Sequence, residues 1–393
     1  MRPGVSYLAT IAGLMYFIEL MQTKVVKLDN TKIDIAKIKE AAELVDAGKL
    51  VAFPTESVYG IACRAKEDFL IKLNSLKGRA SDKHYTLHIS QKEEVGKYVP
   101  TIGLKAEKLI RKAWPGPLTI VFELDKQAMA KQENSLNKES FESLYKNNSI
   151  GIRCPDNPIA STLLRLTHNP VVAPSANVTG RQPATNAEEA LNQLSGQIDL
   201  LLDAGPCKYK KSSTVVKIGK KVLEILRPGV YSEAELKAMS EIKFLFVCTG
   251  NTCRSPMAAG IFRKYLAEKM QCKVDDLEEM GYKISSVGVI DLENSPASEE
   301  AIAACAAKGI DIRAHRNRAL YKELIEENDI IFAMSRMHRE RVISLSKEAA
   351  NKCFLLAEDR DIPDPIGQRQ QVFNNCADLI EKAIKKRIGE LII

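Results

Sequence analysis

Residues 243–256, KFLFVCTGNTCRSP, constrain the fold of this chain more than any other stretch. Lys243 to Val247 have the length and apolar content of a short buried strand. Cys248 follows, and after five intervening residues come Arg254 and Ser255. Pro256 suits the first turn of a helix, where a missing N–H costs nothing. Gly250 and Asn251 are residue types that take up positive φ angles. The spacing predicts a strand, a tight loop and a helix whose unpaired N–H groups and positive dipole end face one spot. Such a spot binds anions, and the same field is expected to lower the pKa of a thiol placed in it. A cysteine beneath a bound phosphate is the constellation for phosphoryl transfer through a phosphocysteine. The plain alternative is a buried cysteine in an ordinary strand–loop–helix unit.

Downstream of this loop, helical and strand periodicities alternate. Helices are expected over residues 256–270, 298–308, 336–344 and 372–390, and strands over 283–287, 329–334 and 353–356. Alternation of this kind implies a small parallel sheet with helices on both faces and the Cys248 loop at the C-terminal edge of its first strand. Between the last strand and the last helix lies DIPDP, in which Asp364 is held between two prolines and is positionally stiff.

Together these features resemble the low-molecular-weight protein tyrosine phosphatase family, over about residues 242–393. The resemblance implies Cys248 as nucleophile and Arg254 as phosphate ligand, with no cofactor. It makes Asp364 the general acid that then activates water, with Asp361 as the nearby alternative. Ser255 would ease the departure of Cys248 as a thiolate, Asn251 would brace the loop, and Cys253 could pair with Cys248 under oxidation. Tyrosine-specific members carry a bulky aliphatic residue at the position of Thr252 and aromatic residues after the DP pair; this chain has Thr252, Ile366 and Gly367. A threonine there resembles the protein-arginine phosphatase branch, so phosphoarginine is favoured over phosphotyrosine on the substrate phosphoprotein.

The chain's 393 residues leave room for a second domain before this one. With 45% hydrophobic and 27% charged residues the composition is globular, and a net charge of +7 fits anionic ligands without demanding them. Nine cysteines without paired spacing argue for a reducing, cytoplasmic compartment rather than a disulfide framework. CxxC, HExxH, P-loop and GxGxxG patterns are absent. Gly4 to Ile18 is apolar but too short for a confident membrane span, and a signal-peptide cleavage site does not follow. Residues 1–22 read as an extension or a mis-assigned start, with Met21 opening the natural protein.

From residue 23 onward, apolar strands end repeatedly in polar groups. Thr55 lies in PTESVYG, Lys77 and Arg79 in KGR, and His88 in the strand that follows. Arg153 lies in GIRCP, Ser175 and Asn177 in APSAN, Ser213 in STVV and Arg227 in RPG. Residues just past strand ends are well placed to meet a ligand in an open α/β sheet. By themselves they point to an anion-binding α/β domain. Asp125 to Asn148 is rich in Lys, Glu, Ser and Asn, and reads as a mobile surface loop with room for a short helix. Residues 233–241 form a short linker, so the two domains should be near neighbours.

PTESVYG, KGR, WPGPLT, GIRCP, APSAN, STVV and RPG occur in the order found in the threonylcarbamoyl-AMP synthase family, over about residues 23–232. That resemblance implies a twisted α/β sheet around a large basic cavity. It also implies formation of L-threonylcarbamoyladenylate from L-threonine, bicarbonate and ATP with Mg²⁺, for tRNA modification by a partner complex. Carried over by motif, Lys77, Arg79, Ser175 and Asn177 would bind the ATP phosphates and Arg227 the nucleotide. Thr55, His88, Arg153 and Ser213 would line the threonine end. The chain departs from the family after KGR, where His84, Tyr85 and Thr86 replace a proline–leucine pair. The rival reading is a module that binds double-stranded RNA through its basic cavity and makes no adenylate.

Overall fold

The computed structural model describes residues 22–78, 85–219, 223–292 and 294–392. The reading of residues 1–20 lies outside the described residues. Two sheets organise the chain. The first has ten strands in the spatial order Lys24–Lys27, Leu200–Asp203, Val51–Phe53, Gly60–Arg64, Val171–Val172, Leu87–His88, Ser149–Arg153, Leu118–Glu123, Thr214–Ile218 and Leu223–Arg227. Parallel and antiparallel neighbours are mixed. Side-chain alternation along Leu50–Phe53 explains how both faces are covered. Val51 and Phe53 pack with Ile38, Ala41 and Val45 of the helix Ile35–Asp46, while Leu50 and Ala52 join Leu73 and Leu201 in a separate core. Asp34 caps that helix by accepting from the Lys37 N–H.

Strand order turns chain order into a site. Arg153 and Arg227 are the last residues of their strands, Ser213 immediately precedes one, and Ser175 lies just past Val171–Val172. Gly229 fixes how the last turn lies. A Cβ on it would come within 2.3 Å of the Thr214 nitrogen, so the RPG turn can lie on the Ser212–Thr214 backbone only as glycine.

The stretch 125–148 is a correction to the sequence reading. It is not a loop with one short helix but two consecutive helices, Lys126–Ser135 and Lys138–Leu144. Asp125 and Asn137 cap them, accepting from the Ala128 and Ser140 N–H groups. The apolar content is small but well placed: Leu144 and Tyr145 are buried, and the Tyr145 hydroxyl donates to the Tyr98 carbonyl at 2.7 Å. Capping and one buried turn suffice where periodicity is weak.

The second sheet has four parallel strands in the order Tyr282–Gly288, Ile242–Cys248, Ile330–Ala333, Cys353–Leu355. Phe244 and Phe246 face one core with Phe262 and Phe332, and Leu245 and Val247 face another with Ile325 and Val342. Helices therefore cover both faces, as the alternation predicts.

The linker helix Glu233–Ser240 is capped by a reciprocal Ser232–Glu235 box and buries Leu236. The helix Leu104–Ala113 joins the two units. Its Lys108 pairs with Asp329 at 2.6 Å and also donates to the Glu241 carbonyl, Arg111 reaches Asp329 at 3.2 Å, and Lys105 donates to the Met280 carbonyl at 2.5 Å. No helix among the described residues is long and apolar enough to cross a membrane.

Candidate active sites

Strand Ile242–Cys248 ends on the cysteine, and the helix Arg254–Met270 begins six residues later. Pro256 is the third residue of that helix rather than its first. Cys253, at the N-cap, makes no capping bond, so the first-turn N–H groups stay available to an anion. Asn251 sits at φ 54° and is fully buried, and every polar group it has is used. Its N–H donates to Cys248 Sγ at 3.2 Å, and its Nδ2 donates to Ser255 Oγ at 2.7 Å and Ser286 Oγ at 2.9 Å. Its Oδ1 accepts from the Arg318 N–H at 3.1 Å, and its carbonyl from His315 Nε2 at 2.7 Å. Ser255 Oγ accepts from Asn251, and its own proton can reach either Cys248 Sγ, 3.0 Å away, or the Val287 carbonyl at 3.4 Å.

Burial pushes the Cys248 thiol up, against the pull of the Ser255 hydroxyl, the Arg254 charge and the Asn251 N–H. The expected depression of its pKa is therefore outweighed: the same packing that orders the loop removes water from the sulfur.

Arg254 donates to the Ile362 carbonyl at 3.2 Å and to Thr249 Oγ1 at 2.9 Å, and it pairs with Asp364. Asp364 thus comes within reach of the loop across more than a hundred residues of sequence. Asp361 does not: its Oδ1 accepts from the Arg336 N–H at 3.0 Å and caps the helix Arg336–Leu345. Thr252 and Cys253 lie side by side, with Thr252 Oγ1 3.6 Å from Cys253 Sγ, and Ile366 is exposed.

One residue of this site escapes a reading by spacing. His338 is fully buried, with Nε2 3.0 Å from Thr249 Oγ1 and Nδ1 2.8 Å from Ser335 Oγ. Burial and the nearby Arg254 charge pull its pKa down to about 4, so the ring is neutral near pH 7. The neutral ring donates through one nitrogen and accepts through the other, so it links Ser335 Oγ to Thr249 Oγ1, which also accepts from Arg254. A histidine three residues after a serine N-cap was the available signal, but nothing in the sequence ties it to Thr249.

In the first unit the strand ends enclose a cavity of about 590 Å³, lined by Lys77, Thr86, His88, Thr119, Arg153, Ser175, Ser213 and Arg227 among others. Lys77 ends the helix Glu67–Lys77; its Nζ donates to the Ser175 carbonyl at 2.6 Å and to Asn177 Oδ1 at 3.3 Å. Arg227 donates to Ser213 Oγ at 2.9 Å, and Ser213 Oγ is 3.2 Å from Thr119 Oγ1. Burial and the Arg153 charge pull His88 down to about 3. Its Nδ1 is 3.1 Å from the Thr86 carbonyl, which makes Nδ1 the protonated nitrogen. Thr55 and Asn177 do not line the cavity. They stand behind it, Thr55 Oγ1 3.3 Å from Arg153 Nη2 and Asn177 beside Lys77. Arg79 lies outside the described residues.

Glu56 is the residue the sequence reading passed over. It is 3% exposed, pairs with Arg153 at 2.7 Å and accepts from the Asp156 N–H at 3.0 Å. An acid between an apolar strand and an apolar turn was the signal, since a buried carboxylate needs a cation. Among the described residues, three buried side-chain donors have no partner, and two of them are Arg153 Nε and Arg254 Nε. Each belongs to an arginine of one of the two sites.

Two family models match the chain. The Sua5, YciO and YrdC model, described as "Telomere recombination", matches residues 43–229, and the model described as "Low molecular weight phosphotyrosine protein phosphatase" matches residues 243–391. The threonylcarbamoyl-AMP synthase of Pyrococcus abyssi is 29% identical over 275 residues, 65% of this chain and 78% of that protein. A Methanocaldococcus jannaschii protein provisionally given the same name is 32% identical, covering 47% of this chain and 81% of its own length. The low molecular weight protein-tyrosine-phosphatase Etp of Escherichia coli K12 is 32% identical, covering 37% of this chain and 93% of its own length. The chain belongs to both families. Its cavity lies in the threonylcarbamoyl-AMP synthase part and its cysteine loop in the phosphatase part.

Proposed function

We propose that the chain is a bifunctional cytoplasmic enzyme: a synthase over about residues 23–232, a linker over 233–241 and a phosphatase over about 242–393. One kind of observation supports both halves. Arg153 and Arg254 are buried cations, each with an Nε–H that lacks an acceptor among the described residues, and a buried donor without a partner is costly unless a ligand supplies one.

In the synthase, the L-threonine amine displaces water from bicarbonate to give a carbamate, whose carboxylate oxygen attacks the α-phosphorus of ATP. The P–O bond to the β-phosphate breaks and pyrophosphate leaves. Negative charge grows on the leaving group, so fixed cations are the main catalytic resource. Lys77, Arg79 and Ser175 serve the phosphates, with Asn177 positioning Lys77 from behind; Arg227 serves the nucleotide; His88, Arg153 and Ser213 serve the threonine end, with Thr55 positioning Arg153. Neutral His88 offers a lone pair at Nε2, and Glu56 holds Arg153 in place. Cations and hydroxyls (Lys77, Arg153, Arg227, Ser175 and Ser213) dominate the polar lining, with the carboxylates Glu123 and Glu224 also on the wall, which fits Mg²⁺ carried in on the ATP phosphates rather than held by a protein cage. When bound, Mg²⁺ would neutralise phosphate charge. The adenylate passes to a complex that modifies tRNA. Pyrophosphate release that requires threonine, bicarbonate and ATP together tests this. A protein that binds double-stranded RNA and releases no pyrophosphate would overturn it.

In the phosphatase, Cys248 attacks phosphorus and Arg254 holds the equatorial oxygens. Cys248 rests as a thiol, and a substrate phosphoryl dianion can accept its proton, giving thiolate and monoanion with no net change in charge. Asp364 protonates the leaving group and then activates water against the phosphocysteine, while Ser255 stabilises the departing thiolate. Thr252, in the loop between Cys248 and Arg254, and Ile366 in place of an aromatic residue favour phosphoarginine over phosphotyrosine. Turnover on the two substrates, with Thr252→Ile alongside, tests the choice. Wild-type preference for phosphoarginine, reversed in Thr252→Ile, is expected. Preference for phosphotyrosine in both would make the domain a tyrosine phosphatase.

A further inference from the structure

A second cavity, of about 260 Å³, lies behind the phosphate loop. Pro256, Ala259 and Arg263 line it from the helix, Ile284 to Ser286 from the neighbouring strand, and Asp311 to Arg318 from the segment that follows residue 310. Its charge is mainly positive, with Asp311 the one carboxylate among the described residues of the wall. Arg263, Arg316, Arg318 and His315 all face it. Arg263 is half-buried and donates to the Ile284 carbonyl at 2.5 Å, and Arg316 donates to the His315 carbonyl at 2.6 Å. Among the described residues none of the three arginines has a carboxylate within ion-pair distance. Asp311 is held by Arg313 at 2.6 Å, and Glu278 acts on Arg263 only from farther away. A half-buried guanidinium without a counter-charge, beside two others, is unfavourable unless a ligand brings the charge. Arginine forks favour a tetrahedral oxyanion.

The cavity also touches what holds the catalytic loop. Asn251 is anchored by His315 Nε2, the Arg318 N–H and Ser286 Oγ, and all three residues line the cavity. Burial lowers the His315 pKa, and the three arginine charges add to it.

We propose that this cavity is a second anion site, for free phosphate or diphosphate, and that its occupation slows the phosphatase by drawing His315 and Ser286 away from Asn251. The site is separate from the one where phosphate competes with substrate, so the two are told apart kinetically. Turnover of 4-nitrophenyl phosphate by the full chain is measured against methylenediphosphonate, a non-hydrolysable diphosphate. Turnover at saturating substrate is expected to fall about fivefold, on top of any competitive effect. Arg316→Gln, at an exposed position, should remove that fall and leave the competitive part and the uninhibited rate as they were. Arg263→Gln should do the same from the buried side. Lys77→Ala should keep the fall, which excludes transmission from the synthase cavity. Purely competitive inhibition of the wild type would overturn the proposal. So would a fall that survives in both arginine variants or vanishes in Lys77→Ala.

Discussion

The synthase cavity and the phosphatase loop both handle phosphate, but they are built in opposite ways. The loop takes its nucleophile, arginine, serine and asparagine from eight consecutive residues, Cys248 to Ser255, and borrows only Asp364 from a distance. The cavity takes Lys77, His88, Arg153, Ser175, Ser213 and Arg227 from six separate segments. A contiguous loop depends on local backbone conformation, as Asn251 at φ 54° shows. A dispersed cavity depends on strand order and on buried polar pairs that fix each side chain in turn. The two designs should therefore fail differently when a single residue is changed.

The largest expected effect is the sharpest separation. Cys248→Ser should lower phosphatase turnover at least about 10⁴-fold, as loss of a covalent nucleophile does elsewhere, while threonine-dependent pyrophosphate release stays within twofold or so of wild type. Loss of both activities would mean the two regions are one functional unit.

Breaking the cavity should cost stability as well as rate. Glu56→Gln removes the counter-charge of a buried Arg153. It should destabilise the synthase part by about 3–5 kcal/mol in denaturant unfolding and lower synthase turnover, with the phosphatase rate unchanged. A stable but slow Glu56→Gln protein would show that the pair serves catalysis alone.

A smaller effect tests the loop's remote support. His338→Leu and Thr249→Val should each lower phosphatase turnover about tenfold, about the worth of one charge-assisted hydrogen bond. The double variant should be no slower than either single one, because both cut the same chain from Ser335 to Arg254. Additive losses would refute that chain.

The smallest effect is on stability against pH. His338 is neutral in the fold, with a pKa near 4, whereas in the unfolded chain it titrates near an ordinary value of about 6.5. Between these values the unfolded state binds more protons, so stability falls as pH falls. Each pH unit should cost about 1.4 kcal/mol for this group. In His338→Leu the acid slope of the phosphatase part should flatten by that amount between pH 6 and about 4.5. An unchanged slope would mean the ring is already protonated in the fold.

The two regions were also unequally legible in sequence. The strand, the helix and the positive φ at Asn251 around Cys248 follow from residue types, because strand length, positive φ and helix start are local properties. The helices at 126–135 and 138–144 were missed because their caps are local but their burial, through Leu144 and Tyr145, is not. Seven ordered motifs place the cavity residues in a family, yet they could not show that Thr55 and Asn177 stand behind the wall while Thr86 and Thr119 form it.

By itself the sequence determined which residue types stand at strand ends and how the cysteine loop turns, since backbone geometry and side-chain period operate over a few residues. Only the tertiary structure decided which acid faces Arg254 and which caps a helix, that Glu56 neutralises Arg153, and that burial raises rather than lowers the Cys248 thiol. Those outcomes depend on charge and desolvation, which are set by every neighbour packed around a group.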